Sequence, residues 1–246
     1  MKTFLMLLLC ANLLGSPQDL VVGTAGGYAP YVSVDTQGNL EGFDIDVANL
    51  LAEKLERKLV LKDCGSMPSL LLSLKQKKVD ILIWAVSITQ ERMKSMDMVY
   101  YQGEKTTEMP FLFWGKVPEG IRSIDDLADK DVCIEAGSFQ EGVVKKFPKV
   151  RAKYVDKVTD AILEIRFGKS LATAIDPSLI QRFTAQYPEI KVVKLPLPMQ
   201  EQSLGYGICI SKTDIELSAA IRKAVNELTA EGKIAELEKK WNMVKE

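Results

Sequence analysis

The chain has 246 residues, 47% of them hydrophobic; its 32 Lys and Arg balance 33 Asp and Glu to a net charge of −1, and it contains no histidine. That is enough chain for two modest globular domains or one large one. No basic run is present to neutralise a row of phosphates, which speaks against nucleic acid, and the missing imidazole excludes Ser-His-Asp and Cys-His catalysis, histidine metal sites and histidine pH switches.

The opening residues, MKTFLMLLLCANLLGS, set Lys2 before an apolar run that is too short to span a bilayer and ends in small residues. This is the pattern of a secretory signal peptide, expected over 1–18 with cleavage between Gly15 and Asp19. Cys10 follows Leu9, whereas a lipid-anchor cysteine usually follows a small residue, so a lipid anchor is not expected. Cys64, Cys133 and Cys209 lack C-x-x-C spacing and read as free thiols in strands rather than a zinc or redox site. No second apolar run reaches membrane length, so an exported, periplasmic, soluble protein is expected.

A strand is expected over 20–24, then a helix over 44–57 with Val47, Leu50, Leu51 and Leu55 on one face. A strand over 59–62, a helix over 67–77 with Leu70, Leu71 and Leu74 inward, and a buried strand over 79–86 follow. Alternation at this spacing makes βαβ units and a mostly parallel sheet with helices on both faces. The run ILIWAVSITQERMKSMDMVYY (81–101) passes from this strand into a helix start that Thr89 can cap.

A second series begins near Glu108, with a strand over 110–114, a short helix over 124–128 behind Ser123, a strand over 131–135 and helices over 139–147 and 161–167. A strand over 171–175 ends in Asp176-Pro177, where proline suits the first position of a helix reaching about 187. A strand over 190–194 runs into Leu195-Pro-Leu-Pro-Met199, an extended linker. A strand over 204–210 and a helix over 215–241, broken at Gly232, complete the chain. The two series join only near 103–107 and 196–203, which predicts two lobes: 19–107 with 203–246, and 108–202.

Open α/β sheets bind ligands where strands end and helices begin. Four such places stand out: 23–31, 84–92, 135–140 and Asp176. The fork of Arg92 suits a carboxylate, and freed backbone N–H groups at the turn after Ser87 add donors; by spacing alone Arg92 reads sooner as a surface helix residue. Asp176 is either a helix cap or a carboxylate for an ammonium group. Tyr28 is a core aromatic or a ring that stacks on a ligand, and Glu135 a strand-end charge or a contact.

Taken together, these segments resemble the substrate-binding proteins of polar amino-acid ABC importers, the bacterial solute-binding family 3. The resemblance covers about 20–241 and rests on VVGTAGGYAPYVSVDTQGNLEGFDIDVANLLAEKL, LKQKKVDILIWAVSITQERMKSMDMVYY, EAGSFQE, TAIDP and GKIAELEKKW. GKS, DPSLI and LGYGI are similar in wording to chlamydial arginine-binding proteins. The resemblance implies an α/β periplasmic-binding-protein type II fold, two lobes joined by two hinge strands and closing on one amino acid. It implies that Arg92 grips the α-carboxylate with backbone N–H groups at Ser87 and Phe139, on the turn that also carries Ser138 and Gln140. Asp176, the Ser87 hydroxyl and the Ala85 carbonyl would hold the α-ammonium, and Tyr28 would pack on the aliphatic stem.

Specificity is expected to lie in the departures. Ala25 stands where many relatives have an acidic residue, Met67 where a second aromatic is common, and Trp84 where a small residue is usual. Glu135 occupies the place of contacts to the ligand's distal group and favours a cationic tip or an amide N–H₂. The expected role is therefore capture of an arginine/lysine-like or glutamine-like amino acid by a monomer, and delivery to an inner-membrane permease, with no cofactor, metal or nucleic acid. An enzyme on the same scaffold, of the cyclohexadienyl-dehydratase kind, and a sensory ligand-binding domain are the alternatives.

Overall fold

Alternating apolar runs and amphipathic segments build two five-stranded sheets in the computed structural model, which describes residues 19–243. The signal peptide expected over 1–18 lies outside the described residues. The first group comprises β1 (Leu20–Thr24), the hairpin β2 (Ser33–Val34) and β3 (Leu40–Glu41), α1 (Phe43–Lys54), β4 (Leu59–Asp63), α2 (Met67–Lys75), β5 (Ile81–Leu82), α3 (Gln90–Ser95) and β6 (Met96–Gln102). The second comprises β7 (Glu108–Trp114), β8 (Asp131–Glu135), α4 (Phe139–Val144), β9 (Arg151–Val155), α5 (Val158–Arg166), β10 (Ala172–Ala174), α6 (Ile180–Gln186) and β11 (Ile190–Pro196). The chain then returns to the first sheet through β12 (Tyr206–Ser211), followed by α7 (Ile215–Ala230) and α8 (Lys233–Lys240).

The strand orders are β4-β1-β5-β12-β6 and β11-β7-β10-β8-β9. Each sheet is mixed rather than mostly parallel: β4-β1-β5 and β10-β8-β9 pair in parallel, while β12 runs antiparallel to β5 and β6, and β7 to β10 and β11. The antiparallel strands are those that flank the two crossings, because a chain that leaves one sheet and returns to it enters from the far end. Both sheets are sandwiched by helices, so their central strands are apolar throughout. Alternation along β7 divides the second core: Met109, Phe111 and Phe113 join one cluster and Leu112 the other, on opposite faces of the pleat.

The crossings themselves are paired. Thr106 and Ser203 exchange backbone hydrogen bonds of 2.9 and 3.3 Å, and Leu197 N–H donates to Thr107 C=O at 2.9 Å. A short two-stranded strap thus joins the lobes, as the two hinge strands implied by the family resemblance would.

The apolar run over 79–86 is buried but leaves its ladder after Leu82, because Ala85 turns with φ 44°. Asp44 secures that turn. Its fully buried carboxylate accepts Ala85 N–H at 2.9 Å and Tyr101 O–H at 2.6 Å, and burial pushes it up to about 7 against the pull of those bonds. The G-F-D-I-D segment therefore reaches from the start of α1 to the strand end that faces the second lobe.

Candidate functional site

The two sheets meet through their strand ends, and a cavity lies between them. Tyr28, Met67, Trp84, Ala85, Ser87 and Arg92 line it from the first lobe, and Glu135, Ser138, Phe139, Gln140 and Asp176 from the second. All eleven residues singled out in the sequence thus face one space. That space offers about 20 Å³ to the centres of water-sized molecules, room for roughly one water, so the lobes are described in a closed arrangement. Ala25, fully buried, is not among the lining residues. A larger groove of about 700 Å³, lined by Lys212, Ile215 and Arg222 among others, lies open to solvent along α7 and draws on the first lobe alone.

Arg92 sits early in α3, whose N-terminus Thr89 caps by accepting Arg92 N–H at 3.1 Å. Its guanidinium donates through Nη1 to Ser87 C=O at 3.0 Å and through Nη2 to Gly137 C=O at 2.9 Å, and so spans the lobes. A second arginine, Arg182, does the same at the rim by donating to Gly27 C=O at 3.1 Å. Met67 closes against the turn at Gly137, where an added Cβ would lie 3.1 Å from Met67 Cγ. Ser138 caps α4 by accepting Glu141 N–H at 3.1 Å.

Both readings of Asp176 are realised at once. It caps the turn beginning at Pro177, taking Ser178 N–H at 2.9 Å and Ser178 O–H at 2.7 Å on Oδ1, and it also lines the cavity. Tyr206 O–H adds a third bond to the same oxygen, from the opposite lobe, at 2.5 Å. Burial raises the carboxyl, and these donors oppose it. Glu135 is not an exposed strand end: it is 8% exposed, and burial together with the Asp176 charge pushes it up to about 8, partly offset by Arg92.

The apolar wall is aromatic. Tyr28 lies with ring centroids 5.2 Å from Trp84 and 6.0 Å from Tyr31, and packs against the cores of both lobes. Trp84 is buried, and its indole Nε1–H has no hydrogen-bond partner among the described residues.

Sequence reading missed Tyr206, Arg182 and Asp44. The first lies in L-G-Y-G-I and the last in G-F-D-I-D, segments that carried the family resemblance without suggesting a role for either residue. Arg182 on α6 left no signal, since nothing local marks which helix residue meets the opposite lobe.

A two-lobed α/β fold with charged and aromatic groups gathered between the lobes defines a protein that encloses a small polar solute. Comparison with known proteins agrees. The chain belongs to the bacterial extracellular solute-binding proteins, family 3, which match residues 20–244. It is 31% identical to the probable ABC transporter arginine-binding protein ArtJ of Chlamydia trachomatis over 226 residues, 92% of this chain and 86% of that one. It is 29% identical to the arginine-binding extracellular protein ArtP of Bacillus subtilis, covering 90% and 85% of the two chains. An ancestral arginine-binding protein bound to arginine superposes with a TM-score of 0.79 at 30% identity (91% of this chain, 97% of that), and an ancestral arginine-binding protein bound to glutamine with 0.77 at 29% (92% and 98%). These relatives are named as binding proteins, and no helix among the described residues is long and apolar enough to cross a membrane.

Proposed function

We propose that the protein is exported behind a signal peptide over 1–18, acts as a monomer, and captures a cationic amino acid, arginine before lysine, for delivery to an ABC-importer permease. Its role is capture rather than catalysis. The observation that carries the reading is the charge set of the cavity: one cation, Arg92, and two carboxylates, Asp176 and Glu135. A zwitterionic amino acid pairs its carboxylate with Arg92 and its ammonium with Asp176 and Ser87. Glu135 then remains, and an unpaired carboxylate in a closed cavity is heavily penalised. A cationic side chain completes the balance, with Tyr28 against its stem.

A thermal-shift screen of the amino acids tests this. Arginine at about a thousand times its Kd stabilises the native state by about 4 kcal/mol, a midpoint rise of about 10 °C for a chain of this size. Stabilisation by glutamate in preference to arginine overturns the reading. Glu135→Gln should weaken arginine binding about 30-fold or more through loss of the charge-assisted bond, with glutamine little changed.

One observation favours a neutral ligand instead. The indole N–H of Trp84 is buried without an acceptor, and neither a guanidinium nor an ammonium can supply one. A carboxamide offers its oxygen to Trp84 and its N–H₂ to Glu135. Glutamine ahead of arginine in the same screen selects this reading.

Entry of any amino acid requires the lobes, 19–107 with 203–246 and 108–202, to part about the paired crossings. Solution scattering is expected to give a larger radius of gyration without ligand than at saturation. Identical profiles would count against closure on the ligand.

A further inference from the structure

We infer that Tyr206 is a positioning residue that sets the two halves of the ammonium site, Ser87 on one lobe and Asp176 on the other, at a fixed separation. This rests on the amino-acid reading above and adds to it a residue outside the cavity lining. The backbone of Tyr206 forms an antiparallel bridge with Ser87. Gly207 N–H donates to Val86 C=O and Ile88 N–H to Gly205 C=O, both at 2.8 Å, so Ser87 cannot move without Tyr206. The side chain points the other way, across the cavity boundary, and gives its hydroxyl proton to Asp176 Oδ1. One residue thus holds Ser87 by its main chain and Asp176 by its side chain.

Packing keeps that reach constant. Tyr206 is 7% exposed, and its ring meets that of Tyr31 edge-on with centroids 5.3 Å apart and lies against Gly103 in the first crossing. A Cβ on Gly103 would come within 2.6 Å of Tyr206 Cδ2, so the glycine makes room for the ring. The tyrosine is therefore seated against one crossing and stands three residues beyond the Ser203 pairing of the other. Asp176 Oδ1 receives this hydroxyl together with both Ser178 donors, which leaves Oδ2 outside these bonds and fixes the plane of the carboxylate. When the lobes close on a ligand this bond forms with them, and an ammonium group seated between Ser87 and Oδ2 meets acceptors held at one spacing.

Tyr206→Phe keeps the ring and deletes one O–H. Two ligand pairs separate its role from general stability: arginine against 5-guanidinopentanoate, and glutamine against glutaramate, each pair differing only in the α-ammonium. In wild type the amino acid of the better-bound pair exceeds its des-amino partner. In Tyr206→Phe the amino acid should weaken about 10- to 100-fold, the worth of one hydrogen bond to a charged group, while the des-amino partner is held as in wild type and the ligand-free melting midpoint moves little. In an Asp176→Asn background the same substitution should cost almost nothing further, since the hydroxyl acts through that carboxylate. Equal weakening of both members of a pair, additivity with Asp176→Asn, or unchanged affinity in a folded Tyr206→Phe protein overturns the inference alone. A wild type that binds neither amino acid overturns the amino-acid reading and this inference with it.

Discussion

Arg92→Ala is expected to abolish amino-acid binding, raising Kd by about a thousandfold or more, in a protein that still folds. The guanidinium is the one cation among the residues lining the cavity, and it donates to a carbonyl on each lobe, Ser87 and Gly137. Its removal leaves a ligand carboxylate enclosed without its counter-charge, which costs about 3–5 kcal/mol when one partner of a buried pair is deleted. It also removes a tie that holds the lobes together, so the loss should include faster dissociation. The fold depends on α3 much less than the ligand does, since none of the residues of that short helix is fully buried. Arg92→Lys keeps the charge but not the planar fork, and should recover only part of the affinity. Calorimetry on variants shown by circular dichroism to melt cooperatively checks both. Near-normal affinity in a folded Arg92→Ala protein would remove Arg92 from the carboxylate site.

What could be read from the sequence follows how local each signal is. Leu20–Thr24 and Asp131–Glu135 form strands over the residues where apolar runs end at turn signals, and the long helical run breaks at Gly232, which adopts φ 75°. Most of the cavity lining was legible for the same reason, since strand ends and helix starts are marked locally and the sheets bring those ends together, whereas Met67 was indicated only by the family resemblance. Elements that depend on distant partners were not. β9, Arg-Ala-Lys-Tyr-Val, is an edge strand with mostly exposed residues and no clear alternation. β6 follows directly on α3 with no breaker between them, so its ladder with β12 left no local mark. The antiparallel strands of each sheet reflect where the chain crosses between lobes, which periodicity does not encode. The same limit hid Asp44. A carboxylate in the first turn of a helix is ordinary, because it suits the helix dipole, and only the fold shows that it reaches Ala85 some forty residues on.

Gly42→Ala should be the most destabilising single-methyl change in the first lobe, lowering stability by about 3 kcal/mol or more and the melting midpoint by about 10 °C. Gly42 precedes α1 with φ 136°, a region that side chains other than glycine's rarely adopt. A Cβ there would lie 2.1 Å from the carbonyl oxygen of Tyr31 and 2.7 Å from its carbon. Both are backbone atoms, so no rotamer change relieves the clash. The displaced carbonyl is the one that accepts Asp44 N–H at 3.0 Å, and the Phe43 N–H bond to Pro30 C=O at 3.0 Å lies beside it. Moving this anchor shifts Asp44, and with it the bond that holds the Ala85 turn at the cavity. Ligand affinity should therefore fall even at temperatures where the variant remains folded. Gly38→Ala supplies the control, since Gly38 also has positive φ (90°) but an added Cβ there meets nothing within 4 Å. It carries only the conformational cost, about 1 kcal/mol, and no effect on binding. A Gly42→Ala protein that melts within a degree or two of Gly38→Ala, with arginine affinity intact, would show that the N-terminus of α1 yields freely and does not fix the geometry of the site.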